Sequence, residues 1–267
     1  MTALFTYVRL TFLWALRDRL LNAVLGVALL LILMVPAFSM FSMRQVQELA
    51  VTLTLSAVSF VLLVLAVLMG SSSIWRDIER RYTASVLTLP ISRHSYVLGK
   101  FIGTSLFLAL TGLLLACAGA VVIVFASAKH PSEIPVHWLN IAIAISADIL
   151  KYIMLTAIAM FLSSLSTSLF LPMFGAIAVF LAGSGSQEVF EYLSGQYGKT
   201  IGPSSVALIK GVYYLLPNFS AFNLKVQAIY GLPNSLSGIL LTLIYFVIYT
   251  LIALFGCMTL FARRQLS

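Results

Sequence analysis

The sequence predicts an all-α polytopic membrane protein with six transmembrane helices, on three observations. Of its 267 residues 61% are hydrophobic and 9% charged, with mean hydropathy +1.06, whereas a soluble domain carries about 25% charged residues. The apolar residues fall in runs near the length that crosses the hydrocarbon layer, about 20 residues each. The basic residues collect beside those runs, so the net charge of +8 reads as a topology signal and not as a nucleic-acid surface. Cys117 and Cys257 both fall inside predicted spans and read as small buried hydrophobes.

Residues 1–21 mix Leu4, Phe5, Val8, Phe12 and Leu16 with Arg9, Arg17, Asp18 and Arg19. That pattern predicts a helix lying flat at the inner membrane surface. The arginines run through the segment and the following apolar run is of spanning length, so no cleaved signal is expected. Spans are predicted at 22–41, 49–71, 101–125, 138–163, 169–183 and 236–261, within a single transmembrane domain covering 1–267. Pro36 sits near the outer end of the first. Gly103, Gly112 and Gly119 give the third small positions for a neighbouring helix. The fifth is short and holds Pro172 and Gly175, the pattern of a kinked helix or of helices parting around a pathway. An outer region covers 184–235. Within it Pro203 to Leu216 reads as an interfacial or re-entrant helix before span six, opened by one proline and stopped by Pro217.

The charges fix the orientation. Arg9, Arg17, Arg19, Arg76, Arg80, Arg81, Arg93, Lys100, Arg263 and Arg264 fall on one side of this layout, against Arg44, Lys129, Lys199, Lys210 and Lys225 on the other. The richer side is the cytoplasmic one, so both termini are expected inside.

Two features that suggest chemistry do not survive inspection. His130, Glu133 and His137 are scattered across a proline-broken loop and lack the geometry of a metal site. Gly198-Lys199-Thr200 imitates the end of a phosphate-binding loop, but Leu193 occupies the place of its first glycine. Asp148 and Lys151 are different. They lie three apart on one helical face, about 15 Å along the axis from Trp138, close to mid-membrane. Ionisable groups at that depth face the bundle interior or water. Two readings stand side by side: a polar site on a substrate path or at a dimer seam, or a self-neutralised pair that locks helices.

The chain's densest charge lies at 74–95, between spans two and three. Ile78, Tyr82, Val86 and Leu89 share one helical face. Asp77 and Glu79 would stand in the first turn of a short amphipathic helix, favoured by its dipole, with Arg80 and Arg81 further in. Pro90 ends it and Ser92 starts the next helix through Arg93. Read from composition alone, the segment is equally a basic loop that touches anionic lipid.

The order Asp77-x-Glu79, Pro90-Ile91-Ser92-Arg93 and Leu98-Gly99-Lys100 resembles the first cytoplasmic loop of ATP-binding-cassette type-2 permeases. Ile91 stands for the family's usual valine, and Arg81-Tyr82 for its usual Gly-Thr. Leu216 to Lys225 is similar to a stretch of the copper-enzyme-maturation branch of that family. The resemblance implies that 74–95 is the coupling segment docking on a separate ATPase, with Asp77, Glu79, Arg80, Arg81, Tyr82, Pro90 and Arg93 as its contact residues. It implies a permease subunit, an exporter, without enzyme activity or cofactor of its own. ATP and Mg belong to two copies of the partner ATPase, and a second permease chain completes the complex in a bacterial cytoplasmic membrane. No nucleic-acid partner is expected. The alternatives are an ion-coupled secondary transporter using Asp148 and Lys151, a lipid-acting membrane enzyme, and a non-transporting permease that drives a periplasmic partner. No inverted repeat or paired interfacial acids support the first two.

Overall fold

Asp18 makes the first break in the chain. Its carboxylate accepts from the backbone amides of Leu20 (2.9 Å) and Leu21 (3.3 Å), capping a helix that starts at Arg19. The computed structural model describes residues 2–42, 45–79, 93–129, 132, 135–194, 211, 213–214 and 216–263. Among them there is no strand, and six helices are long and apolar enough to cross a membrane.

In chain order the helices are α1 (Thr2–Arg17), α2 (Arg19–Ser39), α3 (Val46–Glu79), α4 (Arg93–Lys129), α5 (Trp138–Leu165) and α6 (Phe170–Ser194). A 3-10 turn (Phe219–Phe222), the short α7 (Lys225–Tyr230) and α8 (Leu236–Arg263) follow. The helices outrun the expected spans. α3 runs on through Asp77 to Glu79, and α4 begins at Arg93, well before residue 101. α6 is not the short broken span expected at 169–183. It has 25 residues, with Pro172 in its first turn, where the missing N–H costs no bond.

α5 is the central helix, buried on most sides by α3, α4, α6 and α8. Lipid supplies no hydrophobic force between helices, so their association depends on close packing and small residues. A Cβ placed on Gly70 of α3 would lie 2.6 Å from the Ala159 Cβ of α5. On α4, Gly99 and Gly103 form one small face against α1, where added Cβ atoms would lie 2.5 Å from Tyr7 Cβ and 2.7 Å from Thr11 Cβ. α1 therefore rests along α4 at the basic end of the bundle, with Phe5 and Leu10 exposed on its other side. Large apolar residues of α2, α6 and α8, such as Leu33, Phe174 and Leu251, are exposed laterally, as lipid-facing positions are. Cys257 is buried as expected, but Cys117 is exposed on α4.

The chain before span six folds back into the bundle. The Pro217 carbonyl approaches α6 at Gly183, where a Cβ would lie 2.2 Å from it. Phe219 packs on Phe180 with ring centroids 5.5 Å apart, and Phe180 packs on Tyr152 at 5.9 Å. α7 then returns outward and ends at Gly231, whose positive φ of 65° terminates the helix against the His137 ring. Residues 217–230 thus fold back against the bundle, as an interfacial or re-entrant element was expected to do. Most of the Pro203–Leu216 helix expected in that role lies outside the described residues.

Candidate functional site

Among the described residues, two clusters that contain ion pairs interrupt the apolar bundle. The first lies at its basic end, where α1, α3 and α4 meet around Asp77. Asp77 stands in the last turn of α3 and not in the first turn of a separate helix. An acid there opposes the negative end of the helix dipole. Lys100 answers it from α4 with an ion pair, and the Tyr96 hydroxyl donates to the same carboxylate. Lys100 also donates to the carbonyl of Ser73, one of the groups near the end of α3.

The contacts spread outward from there. Tyr96 stacks on Phe261 of α8 (5.4 Å) and meets Tyr7 of α1 edge-on (5.5 Å). Burial, with the Asp77 charge behind it, raises the Tyr7 phenol above its ordinary range. Arg76 pairs with Asp18 at 3.2 Å and lies 4.6 Å over the Trp14 ring. On the far side of α3 the Ser163 hydroxyl accepts from the Trp75 amide (3.1 Å) and donates to the Ser71 carbonyl (2.8 Å). The Trp75 indole donates to the Thr167 carbonyl at 3.1 Å. A cavity of about 310 Å³ opens between α1 and this cluster.

Of the residues expected to couple, Asp77 is turned inward and held by α4. Glu79 is exposed. Arg80, Arg81, Tyr82 and Pro90 lie outside the described residues, and Arg93 is described only as the first residue of α4. Tyr96 and Ser73 were invisible as site residues in the sequence. Tyr96 falls four before Lys100 on α4, the one signal that would have drawn it in.

The second cluster is at mid-bundle. Asp148 and Lys151 pair directly within α5 and are 3% and 5% exposed. Both are enclosed within a single chain, which does not favour the dimer seam. The Lys151 ammonium lies 4.6 Å over the ring of Tyr152, whose hydroxyl bonds Ser59 of α3 at 2.8 Å. Lys225, counted above with the outer loop, is brought by residues 217–230 within electrostatic reach of Asp148 and Lys151. Burial lowers its ammonium pKa, Asp148 pulls it back up, and Lys151 lowers it further. No group of three or more metal-ligating side chains occurs among the described residues. His130 and Glu133 lie outside them.

Residues 4–266 match the family profile described as ABC-2 family transporter protein, nearly the whole chain. The chain belongs to the ABC-2 transporter family. No curated protein matches it. Membership makes it a multi-pass membrane permease subunit of an ATP-binding-cassette transporter, a transport component whose family works with an ATPase partner. In this permease the basic-end cluster brackets the segment that joins α3 to α4, and the mid-bundle cluster lies on the central helix α5.

Proposed function

We propose that this ABC-2 permease works as an exporter, paired with a second permease chain and driven by two ATPase subunits that bind ATP and Mg. The coupling segment 74–95 faces the cytoplasm and docks on the ATPase, and both termini are cytoplasmic, in a bacterial cytoplasmic membrane. The observation that carries the reading is the tie made by Asp77. It joins the helix entering the docking segment to the helix leaving it, through Lys100 and Tyr96. A push on 80–92 is then delivered to α3 and α4 together, to α8 through Tyr96 and Phe261, and to α5 through Ser163. Family membership favours ATP over an ion gradient as the energy source. The resemblance of residues 216–225 extends the proposal to the copper-enzyme-maturation branch.

The test uses the full-length permease in nanodiscs with its co-expressed ATPase. Cys117 and Cys257 are replaced by alanine, and Ser85→Cys is introduced. Ser85→Cys is expected to cross-link to the ATPase. Asp77→Asn should leave that cross-link intact while lowering ATP-dependent motion of α8, read by a spin label, about tenfold, the scale of one lost charged hydrogen bond. A docking segment that never meets the ATPase, or full motion in Asp77→Asn, would reject the reading.

A further inference from the structure

The cavity at the basic end, about 310 Å³, is at the small end of the range for ligand sites, about 300–1,000 Å³. It has room for a head group and not for a whole lipid. Its wall is divided. Leu10 and Trp14 of α1 and Met69 of α3 make the apolar part, whereas Ser72, Arg76, Asp77 and Lys100 make the polar part. Leu10 and Trp14 are themselves exposed, as are Phe5 and Leu16 on the same helix. The cavity therefore opens at the apolar surface of α1, where lipid meets the bundle.

This wall has donors to spare. Ser72 is 7% exposed, and its hydroxyl has no partner among the described residues. The unpaired hydroxyls of Thr54 and Ser105 are sealed within the packing; that of Ser72 is not, and the space it reaches is this cavity. Arg76 lies over the Trp14 ring and gives a single N–H of its fork to Asp18. The acceptors, by contrast, are engaged. Asp77 takes Lys100 and Tyr96, and Asp18 takes Arg76 and the amides of Leu20 and Leu21. An open cleft alongside shares Trp14, Arg76 and Asp18 with this region and adds Arg17, Arg19 and Glu79. Neither Arg17 nor Arg19 forms an ion pair among the described residues. Across cavity and cleft, four cations stand against three carboxylates, so an occupant that is anionic and accepts hydrogen bonds is favoured.

The geometry points to a binding site here for the head of an anionic phospholipid, drawn from the leaflet at the basic end. Its phosphate accepts from Ser72 and Arg76, and its chains run out past Leu10 along the exposed side of α1. Bound there, the lipid fastens α1 to α3 beside Asp77. The site needs only the spanning arrangement of the helices and is independent of the direction of transport and of the ATPase contact.

The experiment reconstitutes the full-length permease in phosphatidylcholine nanodiscs with trace phosphatidylglycerol, photoactivatable on the chain next to its head, and separately with the matching phosphatidylcholine probe. Phosphatidylglycerol should label peptides covering 7–14 and 69–76 about fivefold more than phosphatidylcholine, the scale of one surplus cation. Ser72→Ala should lower that labelling about tenfold, the effect of one hydrogen bond to a charged group, while the melting temperature holds. Arg9→Gln, which removes an exposed arginine of α1 outside this wall, should leave it as it is. Equal labelling by both probes, or an unchanged level in Ser72→Ala, would overturn the proposal. An equal drop in Arg9→Gln would reduce the effect to surface charge and overturn it too. Loss of the labelling on adding millimolar glycerol phosphate would give the site to a soluble anion and reject the lipid.

Discussion

Both polar clusters place one carboxylate among several partners, yet they are wired differently. Asp77 reaches across to another helix, and its side chain keeps 24% of its surface in the open. Its partners Lys100 and Tyr96 belong to α4, and they lead on to α1 and α8. Asp148 pairs within its own helix at 4% side-chain exposure, and its second neighbour, Lys225, arrives from a chain that dips into the bundle. An ion pair between helices transmits relative displacement, because moving one helix stretches it. A pair inside one helix transmits nothing by itself and serves to keep two charges tolerable where water is scarce. The basic end is therefore the jointed region and the mid-bundle pair the fixed one.

The sharpest way to break that contrast is to remove the buried acid. Asp148→Asn leaves Lys151 as an unpaired interior cation, which costs about 3–5 kcal/mol. Thermal denaturation of the purified permease should show the loss, and Asp148→Asn with Lys151→Met together should recover most of it. Recovery of stability with recovered transport assigns the pair to structure. Recovered stability with transport still absent would move it onto the transport path. If Asp148→Asn alone is as stable as the parent, the pair is not a fixed unit and the contrast fails.

A smaller effect is expected at the joint. Tyr96→Phe keeps the ring stacked on Phe261 and removes only the hydroxyl that donates to Asp77, which Lys100 still neutralises. The stability loss should be about 1 kcal/mol. The same substitution should loosen the coupling between α3 and α8, read as broader spin-label distances between Glu79 and Arg263. Unchanged distances would mean that the aromatic stack alone holds the two ends.

What the sequence disclosed was what apolar length discloses. Six runs became six spanning helices, and Gly103 was rightly marked as a place of close approach. Helix ends were harder, because a helix leaving the membrane keeps its hydrogen bonds while its composition turns polar. Ser184 to Ser194 were assigned to the outer region and not to the fifth span for that reason. In the fold Gln187 bonds Glu191 one turn on at 2.6 Å and accepts from Asn218 at 2.8 Å, so the polar turns are satisfied. Asp77 was placed at a helix start because its charge suits that end of the dipole; the tertiary partner Lys100 reverses the preference. Lys225 could not be placed, since nothing in a one-dimensional pattern says that a loop turns inward. Its approach to α5 needs Gly183, where α6 lets the Pro217 carbonyl in.

Lys225 offers the finest measurement of the difference. Its pKa is lowered by burial, with Asp148 opposing and Lys151 adding to the shift, below the ordinary 10.5. In the window between that lowered value and 10.5 the unfolded chain holds a proton that the folded chain has released. Stability therefore rises with pH through the window, and the full gain is present only above 10.5. Lys225→Met removes the group from both states, so its melting temperature should lose this alkaline rise relative to the parent. Parallel pH profiles for the two proteins would place Lys225 back in water, and with it the inward turn that separates the enclosed cluster from the jointed one.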